Sequence, residues 1–221
     1  MSLYGFRTHR LTALAMTLLL LASLSLSLPV EATETKTTRE APAIAKVGKP
    51  APGFTLEGVI GTVPGKEFKT VNLADFRGKW LVFFFYPADF TFVCPTEIKG
   101  FNSALEKFKE LGAEVIGAST DSKWSHLAWI KRGDLGDLKI PLLADFNKTT
   151  ARNYGVLEDE AGVALRGLFI IDPNGILQYQ VVHNLDVGRS VDETIRVLEA
   201  LQTGSLCPLG WKPGEKTLDR K

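Results

Sequence analysis

Six consecutive residues, Leu81-Val82-Phe83-Phe84-Phe85-Tyr86, are apolar or aromatic and stop at Pro87. A strand with one wet face would alternate polar and apolar positions, so an unbroken run predicts a strand buried on both faces, near the middle of a sheet. After a short loop, Ile98, Phe101, Leu105, Phe108 and Leu111 recur at steps of three and four with charged residues between them, and Gly112 follows. That spacing predicts an amphipathic helix closed by a glycine. Ala113–Ser119 then reads as a second buried strand, and strand–helix–strand implies a right-handed crossover and a parallel pair.

Further along, Trp124–Lys131 reads as another helix. The apolar runs Leu165–Ile171 and Ile176–Val182, separated by Asp172-Pro173-Asn174-Gly175, read as a hairpin. A last helix begins at Ser190, with Ser190 and Glu193 as a capping box and Val191, Ile195, Leu198 and Leu201 as its buried stripe. The expected fold is α/β, a thioredoxin-like domain with a central mixed sheet and flanking helices.

The amino end has a different character. Arg7, His9 and Arg10 precede the leucine-rich run Leu11–Leu28, followed by Pro29, Val30, Glu31 and Ala32. Basic region, apolar region and small-residue cleavage site in that order predict an export signal over residues 1–32, cut after Ala32. The run reaches only the lower limit for spanning a bilayer and is diluted by threonine and serine, so removal is favoured over retention as an anchor. The expected destination is periplasmic or secreted, with a membrane-anchored or plastid and lumenal location as alternatives, and no stable membrane insertion once the signal is gone. Residues 33–45, beginning Thr-Glu-Thr-Lys-Thr-Thr-Arg-Glu, read as a flexible leader, 46–205 as the folded domain and 206–221 as a carboxyl-terminal arm. Without residues 1–32 the chain has 24 basic and 24 acidic side chains. With no dense basic block, nucleic acid is not expected as a partner and long-range steering of charged ligands is not the device used.

Only two cysteines occur, Cys94 and Cys207. Cys94 lies between the first strand and the first helix, with Pro95 suited to a first turn. Unpaired N–H groups and the positive end of the helix dipole meet there and favour a negatively charged, nucleophilic sulfur. The plainer alternative is a buried inert cysteine. Dithiol exchange would need a second cysteine at position 97, which is Glu97. A cysteine hydrolase would need a histidine base, and beyond the leader only His126 and His183 are available; both read as packing or loop residues.

The spacing of Pro87, Thr91 and Cys94 in Tyr-Pro-Ala-Asp-Phe-Thr-Phe-Val-Cys-Pro-Thr-Glu resembles the Pro-x-x-x-Thr-x-x-Cys signature of the peroxiredoxins. The likeness runs from Val47-Gly48-Lys49-Pro50-Ala51-Pro52 through Asp121-Ser122, Ser125–Trp129 and Leu165–Asp172 to Val187–Glu193. Cys207-Pro208-Leu209-Gly210-Trp211-Lys212-Pro213-Gly214 resembles the resolving segment of typical two-cysteine members of bacterial and plastid type.

The resemblance implies a thiol-specific peroxidase acting on hydrogen peroxide and organic hydroperoxides. Cys94 would be the peroxidatic cysteine, oxidised to a sulfenic acid, and Cys207 the resolving one, closing a disulfide between subunits that a thioredoxin-like dithiol reduces. It further implies Thr91 and Arg166 as donors to the reacting oxygens and Pro87 as a shield against water, with no metal, haem or flavin and a homodimer as the working unit; a decamer built from dimers is left open. Arg166, opening the apolar run Leu168-Phe169-Ile170-Ile171, needs an anionic partner, and Glu97 is the carboxylate expected to orient it. The alternatives are an oligomeric holdase and a secreted domain with a structural Cys94–Cys207 bridge. Members easily inactivated by excess peroxide carry Gly-Gly-Leu-Gly and a Tyr-Phe pair on an extra helix. Here the first is Gly133-Asp134-Leu135-Gly136 and the 14 residues after Cys207 lack the second, so resistance to sulfinic acid formation is expected. Ala88 and Leu209 also depart from the commonest family residues, with effects expected on packing alone.

Overall fold

The computed structural model describes residues 44–219; the expected export signal and nearly all of the expected leader lie outside them. In chain order the elements are β1 (Thr55–Val59), β2 (Phe68–Asn72), β3 (Trp80–Phe85), α1 (Cys94–Ser103), α2 (Leu105–Glu110), β4 (Ala113–Ser119), α3 (Lys123–Arg132), β5 (Leu142–Ala144), α4 (Thr149–Asn153), β6 (Leu157–Glu158), β7 (Val163–Ala164), β8 (Arg166–Ile171), β9 (Leu177–His183) and α5 (Val191–Gln202). Seven strands form one mixed sheet in the order β2-β1-β5-β4-β3-β8-β9, and β6 pairs with β7 separately. β3, β4 and β5 are parallel neighbours, while β8 pairs antiparallel with both β3 and β9.

The apolar run of β3 divides between two cores, as the two-residue period of a strand requires. Leu81, Phe83 and Phe85 face one side with Phe54, Tyr154 and Phe169. Val82, Phe84 and Tyr86 face the other with Ile98, Phe101, Phe108, Trp129 and Leu198. The five residues Leu81–Phe85 are fully buried, each contributing about 1.5–3 kcal/mol. Gly117 on β4 permits this packing: a Cβ there would sit 2.8 Å from the Phe84 ring, which in turn stacks on Phe101 of α1 at 4.7 Å between centroids.

The helix expected across positions 98–111 is two helices. Ala104 leaves the helical range at φ −91° and ψ 6°, beside Asn102, whose side chain donates to the Asp137 carbonyl and accepts from the Lys139 N–H. The buried spacing continues through the break, because Ile98 and Phe101 of α1 and Leu105 and Phe108 of α2 all face the same core. At α5 the expected capping box is half formed. Ser190 Oγ accepts from the Glu193 N–H, but the Glu193 carboxylate is engaged by Arg196. Of the expected stripe, Leu198 is fully buried and Val191, Ile195 and Leu201 are half-buried; Thr194 and Val197 are buried beside it.

α5 runs in the same direction as α1 and α2. Its start lies against α1, where a Cβ on Gly100 would be 3.3 Å from Val191. Its last residue, Gln202, donates to the Leu111 carbonyl at the far end of α2.

Candidate active site

Cys94 is the first residue of α1 and Pro95 the second, and no side chain caps the helix from Val93. The thiol has no exposure to solvent. β8 begins with Arg166 next to β3, and this register brings the Arg166 guanidinium to the same place: Nη1 lies 3.5 Å from Cys94 Sγ and donates to Glu97 Oε2 at 2.6 Å. Arg166 Nε donates to the Leu185 carbonyl at 2.7 Å. Glu97, one turn along α1, is the carboxylate expected to orient Arg166, and it does touch it.

Glu97 also holds a second arginine, which the sequence reading did not single out. Arg189 gives its backbone N–H and its Nε to Glu97 Oε1, both at 2.7 Å, and its Nη2 to Oε2 at 2.9 Å. Its Nη1 donates to the Gly167 carbonyl at 2.5 Å, and its guanidinium carbon lies 5.4 Å from the centre of the Phe84 ring. Burial pushes the Glu97 carboxyl up, but the hydrogen bonds and charge of Arg189, with the charge of Arg166, hold it below its ordinary value. Burial moves Arg189 down from its ordinary value, and Glu97 opposes the shift.

All three side chains are nearly dry. Two guanidiniums against one carboxylate leave one buried positive charge in surplus. Such a charge is costly without an anion, and the sulfur of Cys94 stands within reach of it. A thiolate there, or the charge that develops on a peroxide oxygen attacked by it, completes the balance.

Pro87 is buried and Thr91 half-buried in the loop between β3 and α1. Thr91 Oγ1 donates to the Ala88 carbonyl at 3.0 Å, the local bond that loop threonines favour, and its lone pairs remain available to a donor. The same loop is anchored from below. Asp89 accepts from Tyr86 Oη at 2.9 Å, its carboxylate lies 2.8 Å from His126 Nδ1, and its N–H donates to Asp121 at 2.9 Å. His126 Nε2 is 3.1 Å from the Leu143 carbonyl. His126 is therefore buried, as a packing residue is, but it works through polar bonds. Burial, with the charge of Asp89 and its hydrogen bond, pushes the Tyr86 hydroxyl well above its ordinary range. His183 is the last residue of β9, opposite Arg166, with Nδ1 3.3 Å from the Val187 carbonyl.

Cys207 is not brought to Cys94. Both thiols are free. Cys207 is half-buried in a depression lined by Tyr179, Arg196, Ala200 and Leu209, with Sγ 3.5 Å from Thr203 Oγ1 and 3.7 Å from the Ala200 carbonyl. Ala200 lies nine residues along α5 from Val191, about 13 Å of helical rise from the end at which Cys94 sits. Among the described residues no group of three histidine, cysteine, aspartate or glutamate side chains is placed to hold a metal ion.

Residues 47–180 match the model of the AhpC/TSA family. The chain is 52% identical over 182 residues to a peroxiredoxin of Cynops pyrrhogaster, covering 79% of this chain and 90% of that one. It is 57% identical over 178 residues to the putative peroxiredoxin YkuU of Bacillus subtilis (strain 168), covering 78% and 97%. Among solved structures it is similar to the reduced 2-Cys peroxiredoxin of Plasmodium vivax, at 44% identity and a TM-score of 0.72 over 77% of this chain and 91% of that one. It is also similar to AhpC of Mycobacterium tuberculosis, at 39% identity and a TM-score of 0.69 over 76% and 99%.

Proposed function

The chain belongs to the AhpC/TSA family and is a peroxiredoxin, a thiol-specific peroxidase of thioredoxin-like fold; from that premise we propose that Cys94 is its peroxidatic residue and Cys207 its resolving one. The observation that carries the assignment is the surplus buried guanidinium charge beside Cys94 Sγ. The Cys94 thiolate attacks one peroxide oxygen, the O–O bond breaks, and the other oxygen leaves as water or an alcohol once protonated, with a sulfenic acid left on Cys94. Arg166 faces the charge as it spreads from sulfur to oxygen, and Glu97 with Arg189 keeps Arg166 aimed, so the donor needs no reorganisation during reaction. Thr91 supplies a second polar group to the substrate oxygens, and Pro87 excludes water.

Cys207 then attacks the sulfenic sulfur, forming a disulfide and releasing water, and a thioredoxin-type dithiol reduces the bridge. A bridge between two copies of the chain fits the positions best, because Cys207 of the same copy sits toward the far end of α5. β9, one of the two edge strands of the sheet, is bonded on its outer side by Gly48 and Lys49 only at Leu177, and the rest of that edge offers a second copy a place to pair in a homodimer. Export is part of the reading and rests on Arg7, Arg10 and the run Leu11–Leu28.

Peroxide consumption with a thioredoxin system, followed by non-reducing electrophoresis, tests the assignment. Cys94→Ser is expected to lose turnover by at least about 10³-fold, and Cys207→Ser to stop after one turnover with the sulfenic acid trapped. Oxidised wild type is expected to run as a dimer that dithiol reductant collapses. Sustained turnover in Cys94→Ser, or a bridge confined to single chains, refutes it.

A further inference from the structure

The loop that carries Thr91 toward Cys94 contains a bulky residue in the left-handed region: Phe90 has φ +56°. No glycine relieves this conformation, so the loop is strained in the closed state and gains from opening. Something must hold it. The polar bonds of Asp89 do so from inside. Outside, the Phe90 ring lies 5.9 Å from that of the buried Trp129, and the Arg132 guanidinium carbon is 4.9 Å from the Phe90 centroid. A single carboxylate aims both of these partners. Asp134 Oδ2 accepts from Trp129 Nε1 at 2.9 Å, and Asp134 Oδ1 accepts from Arg132 Nε at 3.0 Å. Asp134 belongs to Gly133-Asp134-Leu135-Gly136, the segment in which this chain departs from the Gly-Gly-Leu-Gly of sensitive family members.

We propose that Asp134 is a positioning residue that clamps the Cys94 loop shut through Trp129, Arg132 and Phe90, and so sets how long oxidised Cys94 stays away from Cys207. The proposal rests on the two-cysteine reading above. A sulfenic acid on Cys94 has two fates. Attack by the Cys207 thiol gives the disulfide and water; attack on the O–O bond of a second peroxide gives the sulfinic acid and water or an alcohol. With Cys94 fully buried and Cys207 placed away from it, the first fate requires the loop to open and the second does not. Loss of the clamp favours the disulfide. Replacing Asp134 by glycine creates the motif of sensitive relatives, yet the clamp predicts greater resistance.

The test begins without peroxide. In reduced full-length chain carrying Cys207→Ser, the rate at which iodoacetamide labels Cys94, read by intact mass, reports loop opening alone. Asp134→Gly is expected to raise it about three- to tenfold, since a cation–π contact and one carboxylate's hydrogen bonds are removed. Asp134→Asn, which keeps an acceptor for Trp129, is expected to fall between the two. Phe90→Ala removes the group the clamp holds and raises labelling similarly, and the double variant Phe90→Ala with Asp134→Gly gains nothing further, the non-additivity expected of one shared device. With Cys207 present, Asp134→Gly is expected to lower the sulfinic fraction left by a fixed excess of hydrogen peroxide. Unchanged labelling in Asp134→Gly with a native circular dichroism spectrum overturns the proposal, and so do labelling effects of the two substitutions that multiply. Should Asp134→Gly not fold, unchanged labelling in Phe90→Ala overturns it equally. Faster labelling with an unchanged sulfinic fraction supports the clamp and refutes Cys207 as the competitor.

Discussion

The two cysteines occupy opposite kinds of environment. The polar partners at the Cys94 end come from distant parts of the chain: Arg166 is 72 residues from Cys94, and Arg189 is 92 from Glu97. Those of Cys207 come from the end of the preceding helix, four and seven residues away. At Cys94 the ions are dry and interlocked; near Cys207 the pair Arg196–Glu193 is wet and local. The proposed function gives attack on a peroxide to a place that exists only when β8, α1 and the segment leading into α5 are assembled. Resolution, in the same proposal, falls to a group whose hydrogen-bond partners all come from the end of α5.

The largest effect separating the two regions should come from their carboxylates. Glu97→Gln strips the shared anion from two buried arginines and is expected to destabilise the fold by about 3–5 kcal/mol, measured by denaturant unfolding. Glu193→Gln, on the solvent face near Cys207, is expected to cost under about 0.5 kcal/mol. Similar costs at both sites would break the contrast. Arg166→Leu sharpens it on the side of chemistry: removal of one fixed donor is expected to slow sulfenic acid formation by about 10²–10³-fold, read by stopped-flow consumption of a limiting peroxide. A smaller effect follows from acid. Because the folded structure holds the Glu97 carboxyl below its ordinary value of 4.5, its contribution is fully present above that value and is lost as pH falls through the lowered one. Denaturant midpoints taken below pH 4.5 should decline more steeply in wild type than in Glu97→Gln, and parallel declines would remove Glu97 from the account.

The elements that surround Cys94 were readable wherever chemistry or periodicity was extreme. The run Leu81–Tyr86 identified β3, the turn at Asp172–Gly175 the hairpin, and Arg166 stood out as a charge opening an apolar strand. β1, β2 and β5 carry no such signal. β5 has three residues, and β1 contains Gly58, a poor strand former whose missing side chain is what admits Leu143, since a Cβ there would lie 2.3 Å from Leu143 Cδ2. The break at Ala104 was hidden because both helices keep one buried face. Arg189 escaped for a different reason. An arginine just before a helix cap is ordinarily solvated, and only the tertiary fold reveals that Glu97 waits beside it. His126 could be assigned to the interior from its apolar helix, but its partners Asp89 and Leu143 come from other segments.

The remoteness of the two sulfurs along α5 bears on heat. If each cycle includes a loop excursion, that step breaks many weak contacts at once and carries a large activation enthalpy, whereas attack by a preorganised thiolate carries a small one. Warming would then quicken resolution more than oxidation. Cooling would leave molecules stalled as the sulfenic acid, exposed to a second oxidant for longer the colder the surroundings.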